Sequence, residues 1–261
     1  MLADYHVHSS FSDDSTASME SMVLAGISMG LDEIAFTEHV DYGVKTDSNC
    51  DYESYFLSIA SMRKKYGDLI RICSGAEFGV QVETIPRYVA DVSSKSFDFI
   101  LMSCHEIGNL EFWNGAYQAG KTQDAIELGY YSALLSCVRE FKSYSVLAHL
   151  DLIRRYDPFG EYPFSSIVDL VSEILSVVIA DGKGIEVNTS SFGYGLADLM
   201  PSVDILKLYR SLGGEIVTIG SDAHVPGDVG AHIAYVREVL RSLGFKYFSI
   251  YSKGEPFFMK L

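Results

Sequence analysis

The stretch SVLAHLDLIRRYDPFGEYPFSSIVDLVSEILSVVIADGKGIEVN, residues 145–188, decides the fold. It opens on a short apolar run, Ser145–Ala148, and closes on another, Gly184–Asn188. Between them Ser165–Ala180 carries apolar residues at helical spacing, and Gly182 punctuates the end of that helix. Strand, helix and strand in this order form one parallel crossover unit. The same alternation fills the chain on both sides. Strands are expected at Leu2–Val7, Glu33–Phe36, Leu69–Ala76, Phe97–Met102, Glu215–Ile219 and Lys246–Tyr251, and helices at Ser18–Met29, Tyr52–Tyr66, Ile85–Ser94, Thr122–Phe141, Val203–Leu212 and Val229–Leu243. A strand followed by a helix, seven times within 261 residues, favours closure into a TIM-like α/β barrel over an open sheet.

Local signals agree with that spacing. Thr16 or Ser18 stands before the first helix with Glu20 nearby, Pro201 marks the start of another, and Gly213–Gly214 ends it. No linker interrupts the pattern, so residues 1–261 read as a single domain. The longest irregular stretches, Asp41–Asp51 and Ile107–Lys121, each follow a strand and belong on one rim, where loops shape a pocket.

Charge narrows the function. With 20 basic and 35 acidic residues the net charge is -15, which repels nucleic acid and anionic membrane surfaces. A phosphorylated small molecule remains a fitting partner if bound cations supply the positive charge. Cys50, Cys73, Cys104 and Cys137 show no C-x-x-C spacing and read as reduced core thiols. The N-terminal MLADYHVH lacks a basic segment followed by an apolar one, and no apolar run reaches membrane-spanning length, so a soluble, cytoplasmic protein is expected. Oligomeric state is not encoded in these features.

Of seven histidines, six lie at or just beyond the end of an expected strand: His6, His8, His39, His105, His149 and His224. Glu77, Asp222 and Asp14 hold comparable positions, although acidic residues such as Asp13 and Asp14 also serve as caps before helices. In a parallel barrel all these strand ends share one face, and residues distant in sequence meet there. His6 and His8, two apart on a strand, face the same way, as do Asp222 and His224 if their segment stays extended. Imidazole with carboxylate suits zinc, manganese or iron. Nine ligands exceed the roughly four that one tetrahedral ion takes, so two or three divalent ions are expected, with Glu77 bridging. Ions about 3.5–4 Å apart suit in-line displacement at phosphorus, with a bridging hydroxide as nucleophile. Arg154 and Arg155 could take phosphate oxygens through their planar forks, and Asn188 and Thr189 could hydrogen-bond substrate. His232 stands apart on a helix, as a structural or supporting residue.

Taken in order, DYHVHSSFSDDS, FTEH, GAEFG, SCH, AHLDLIRRY, EVNTS and IGSDAH resemble the polymerase and histidinol phosphatase (PHP) family, and within it the histidinol-phosphate phosphatase branch. The resemblance spans Asp4 to His224 and implies a distorted (β/α)7 barrel with a trinuclear site. It implies that His6, His8, Glu77 and Asp222 surround one ion, that Glu77 bridges to a second held by His105 and His149, and that Asp14, His39 and His224 hold a third. Asp222, His224 and His39, with Arg154 on the phosphate, are then the residues expected to act in the reaction. The implied reaction is hydrolysis of L-histidinol phosphate to L-histidinol and phosphate in histidine biosynthesis. One departure stands out: where that branch carries an arginine assisting phosphate recognition shortly after EVNTS, this chain has Gly193. A nucleotide or sugar phosphate is therefore the rival substrate, and a non-catalytic, metal-stabilised binding module is the rival class. Phosphate release after metal reconstitution separates them.

Overall fold

The computed structural model describes residues 1–261. Its strands are β1 (Ala3–Val7), β2 (Glu33–Val40), β3 (Arg71–Gly79), β4 (Phe99–Ser103), β5 (Glu106–Ile107), β6 (Leu110–Glu111), β7 (Val146–Leu147), β8 (Gly184–Asn188), β9 (Val217–Gly220), β10 (Tyr247–Ser252) and β11 (Glu255–Lys260). Its helices are α1 (Met19–Ser28), α2 (Tyr52–Tyr66), α3 (Ile85–Ser94), α4 (Gln123–Glu140), α5 (Val168–Ala180), α6 (Val203–Ser211) and α7 (Ile233–Ser242). Seven strands form one parallel sheet in the order β1-β2-β3-β4-β7-β8-β9. The ends meet: Val7 bridges Ala223 in parallel, and the amides of His8 and Asp222 donate to Ala223 O and His6 O at 2.9 and 2.8 Å. The sheet is thus a distorted, nearly closed (β/α)7 barrel.

The sequence explains why. β1, β4 and β8 are buried throughout, as expected of parallel strands covered on both faces. Ser18, Asp51, Thr122 and Ser202 cap α1, α2, α4 and α6 by accepting from backbone amides, so Ser18 is the first cap and Ser202, not Pro201, begins α6. No helix is long and apolar enough to cross a membrane.

The eighth expected strand does not join the barrel. β10 pairs antiparallel with β11, and its Tyr251 packs against Tyr5 and Phe99 at the end opposite the histidines. The turn uses Lys253 and Gly254, both at positive φ, which is the two-residue hairpin geometry that favours glycine. Pro256 in β11 hides that strand from a pattern reading, because proline is tolerated only at sheet edges.

Candidate metal centre

Glu77, on β3, is the hub. Its Oε1 lies 3.1 Å from His105 Nε2 and 2.7 Å from His149 Nε2 and accepts from Ser103 Oγ at 2.6 Å. Its Oε2 lies 3.1 Å from His6 Nε2, 3.4 Å from His8 Nε2 and 3.2 Å from His39 Nδ1. Asp222 Oδ1 approaches His6 Nε2 and His8 Nε2 at 3.6 and 3.5 Å, and Asp14 Oδ2 approaches His39 Nε2 and His224 Nε2 at 3.4 and 3.3 Å. The His8 ring packs on those of His39 and His224, with centroids 4.3 and 4.2 Å away, and the latter two are 5.8 Å apart. Nine residues from six strand ends and the Asp14 loop therefore meet at one barrel mouth.

One local expectation is corrected. The segment holding Asp222 and His224 is not extended, because Asp222 sits at φ 57°. Such a conformation is unfavourable for a residue with a side chain and persists where the surroundings enforce it. Here the Asp222 amide is tied to His6 O, and the turn aims the carboxylate at the cluster.

The arrangement is one that cations complete. His8 Nε2, His39 Nδ1, His149 Nδ1 and His224 Nε2 are buried without a hydrogen-bond partner, which is rare for polar atoms. Four overlapping groups, His8–His39–His224, His6–His8–Asp222, His6–His149–Glu186 and His39–Glu77–His105, each hold ligand atoms within 4.8 Å of one another. Burial, reinforced by His224 and His39, holds His8 well below the ordinary histidine range and leaves it a neutral donor. Burial alone would raise the Glu77 carboxyl, but the imidazoles of His6, His105 and His39 outweigh it and keep the group ionised. Burial opposes a charge on His6, His105 and His39, but the carboxylates of Glu186, Asp41 and Glu77 hold them above the ordinary histidine range. Zinc-type ions, which bind neutral imidazole, would displace those protons on binding.

Over the cluster lies a cavity of about 270 Å³ walled by Phe112, Trp113, Tyr156 and Tyr194, with Lys45 and Arg155 as its cations. Arg154 is absent from it. Its Nη1 donates to Asp151 Oδ2 at 2.8 Å and to Leu199 O at 3.2 Å, on the far side of the turn. The expectation that Arg154 meets phosphate is therefore corrected in favour of its neighbour. Arg155 Nη2 donates to Ser190 Oγ at 2.6 Å and reaches Asp222 Oδ2 at 3.4 Å, its guanidinium stacks 3.8 Å above Tyr194, and its Nε has no partner. Asn188 is likewise not a surface for substrate: its amide nitrogen donates to Glu186 and its oxygen accepts from Ser190. The hydroxyl of Thr189 donates to Ala231 O, and His232 lies outside the cluster.

The PHP domain model matches residues 4–190. The chain belongs to the PHP domain family. A histidinol-phosphatase of Lactococcus lactis is 31% identical over 253 residues, which cover 95% of this PHP chain and 94% of the relative. A solved histidinol phosphate phosphatase from the same organism, complexed with zinc, L-histidinol and phosphate, superposes with a TM-score of 0.91 at 30% identity and 98% coverage of both chains. A Listeria monocytogenes structure at 19% identity, TM-score 0.75, covering 89% of this chain and 99% of its own, shares the fold.

Two carboxylates in this PHP domain escape a reading by strand ends. Glu186 Oε1 meets His6 Nδ1 at 2.6 Å while Oε2 accepts from the His149 amide at 3.0 Å, and Asp41 Oδ1 meets His105 Nδ1 at 2.8 Å. Each fixes an imidazole so that its Nε2 faces Glu77. Their closeness depends on glycines: a Cβ on Gly220 would collide with His6 and Glu186, and one on Gly79 with Asp41. The available signal was period two, since Glu186 precedes Asn188 by two residues and Asp41 follows His39 by two. Glu186→Gln is expected to weaken metal binding about 10–100-fold. Titration of the stripped variant with zinc checks this, and unchanged affinity would remove Glu186 from the centre.

Proposed function

We propose that the chain is a phosphomonoesterase that converts L-histidinol phosphate and water to L-histidinol and phosphate, using two or three divalent ions. Zinc, manganese and iron all suit the donors. The observation that carries the reading is Glu77 meeting imidazoles on both oxygens beneath a cavity whose single facing arginine is Arg155. The similarity to a phosphatase solved with zinc, L-histidinol and phosphate supports the substrate.

His6, His8, Glu77 and Asp222 would hold one ion, Glu77, His105 and His149 a second, and Asp14, His39 and His224 a third. Ions so placed would neutralise phosphate charge and lower the pKa of a coordinated water toward about 7. Arg155 binds the phosphate, since its fork offers donors beyond those given to Ser190 and Asp222. Burial opposes ionisation of Asp222, but His6, His8 and Arg155 hold its carboxyl well below the ordinary range, so it stays an anion beside the arginine. Its Oδ2, which accepts from Ser190 Oγ at 3.0 Å, keeps that arginine over the cluster. His39 and His224, joined through Asp14, would hold their ion on the other side of the cluster. The aromatic walls line the space around the ester.

Removal of metal with a chelator is expected to abolish phosphate release, and zinc, manganese or iron(II) to restore it. Across L-histidinol phosphate, nucleotides and sugar phosphates, the first should show the highest kcat/KM. Preference for a nucleotide or sugar phosphate would displace the substrate, and silence toward every ester at full metal occupancy would displace the enzyme.

A further inference from the structure

Among the imidazoles of the centre, His8 is the one held by a hydroxyl. Its Nδ1 lies 3.0 Å from Ser12 Oγ, whereas the Nδ1 atoms of His6 and His105 meet the carboxylates of Glu186 and Asp41. An ionised carboxylate only accepts, so it keeps a ring proton on the nitrogen that faces it. A hydroxyl accepts or donates, and by itself it leaves open which nitrogen of His8 carries the proton.

The other neighbours of Ser12 close that choice. A hydroxyl offers one hydrogen and two lone pairs. The backbone N–H of His39, which can only donate, points at Ser12 Oγ from 3.1 Å and takes one lone pair. Glu38 Oε2 lies 2.7 Å away and takes the hydrogen. The same carboxylate accepts from the Ser9 amide at 2.9 Å and from the Ser9 hydroxyl at 2.6 Å, so its role throughout is that of an acceptor. What Ser12 has left for His8 is a lone pair. His8 therefore carries its proton on Nδ1, and its Nε2 is bare. That atom lies 3.4 Å from Glu77 Oε2 and 3.5 Å from Asp222 Oδ1 and has no hydrogen-bond partner.

The fold builds this contact from strand alternation. Glu38 precedes His39 on β2, so it faces away from the barrel mouth, against the turn that Ser12 N closes onto Ser9 O at 2.9 Å. Ser12, Glu38 and His8 are at most 3% exposed, so bulk water does not compete for these bonds. Resting on the reading of the cluster as a metal centre, we propose that Ser12, directed by Glu38, is a positioning residue that fixes the tautomer of His8, so that Nε2 meets the ions as a lone pair. Neither Ser12 nor Glu38 touches an ion. Without the hydroxyl, rings that hold their proton on Nε2 must rearrange before they can ligate.

NMR of the histidine ring nitrogens tests this in the parent chain, with His8 assigned from the signals missing in His8→Gln. The metal-free chain is expected to show the His8 proton on Nδ1, and the zinc-loaded chain an Nδ1–H that exchanges slowly with water. Ser12→Ala should make that proton exchange freely and lower zinc affinity, measured by competition with a chromophoric chelator, about tenfold. Urea unfolding of the metal-free variant separates a merely structural role: lost stability with unchanged zinc affinity overturns the proposal. A parent His8 with its proton on Nε2, or with zinc on Nδ1, overturns it as well, and that result stands even if Ser12→Ala does not fold. A parent chain that binds no zinc sinks the metal-centre reading instead, while the proton position in the metal-free chain still decides the role of Ser12.

Discussion

Glu77→Gln should lower kcat/KM for L-histidinol phosphate about 10³-fold, the scale on which removal of a preorganised electrostatic contact at a reaction centre is felt. The two side chains have nearly the same shape, so the effect isolates charge. With glutamate, one oxygen serves His105 and His149 while the other serves His6, His8 and His39. With glutamine, one of those atoms becomes an NH2 that cannot ligate a cation and turns a donor toward imidazole nitrogens. Metal analysis should find at least one ion fewer per chain. Zinc stabilises only the folded state that binds it, so the rise in Tm on adding zinc should also shrink in the variant. A variant with full metal content and near-normal turnover would show that Glu77 does not bridge.

How much of this could be read from the chain differs by kind of signal. Ligands at strand ends were legible, because parallel barrels gather all carboxyl ends of strands on one face, and His6, His8, His39, Glu77, His105 and His149 obey that rule directly. Asp222 and His224 were legible as residues but not in their geometry, since the turn at Asp222 breaks the alternation that an extended segment would keep. Glu186 and Asp41 were missed although their spacing was favourable. They act through imidazole Nδ1 atoms, and nothing in a sequence tells which nitrogen of a histidine is engaged. The hairpin of β10 and β11 was missed for a different reason: a lysine-glycine turn and a proline in the return strand both weaken its signature.

The two adjacent arginines show the limit most sharply, and they supply a test. Arg154 and Arg155 share a short helical turn, Leu152–Arg155, where neighbours point about a third of a turn apart and no strand or helix period tells which faces the mouth. Packing decides. Asp151 is fully buried and draws Arg154 back under the turn, which leaves Arg155 on Tyr194 and Ser190 above the cluster. Arg155→Ala should raise KM for a phosphate ester about 10–100-fold, as expected for loss of a hydrogen bond to a charged group. Arg155→Lys should recover only part of that, because an ammonium lacks the planar fork and cannot hold Ser190 and phosphate together. Arg154→Ala should instead leave KM near its parent value and lower stability by about 1–3 kcal/mol, since it strands the buried Asp151 carboxylate. Michaelis constants and urea unfolding of the three variants check the division of labour. The reverse pattern, with KM following Arg154 and stability following Arg155, would mean that the turn is oriented the other way in the working enzyme.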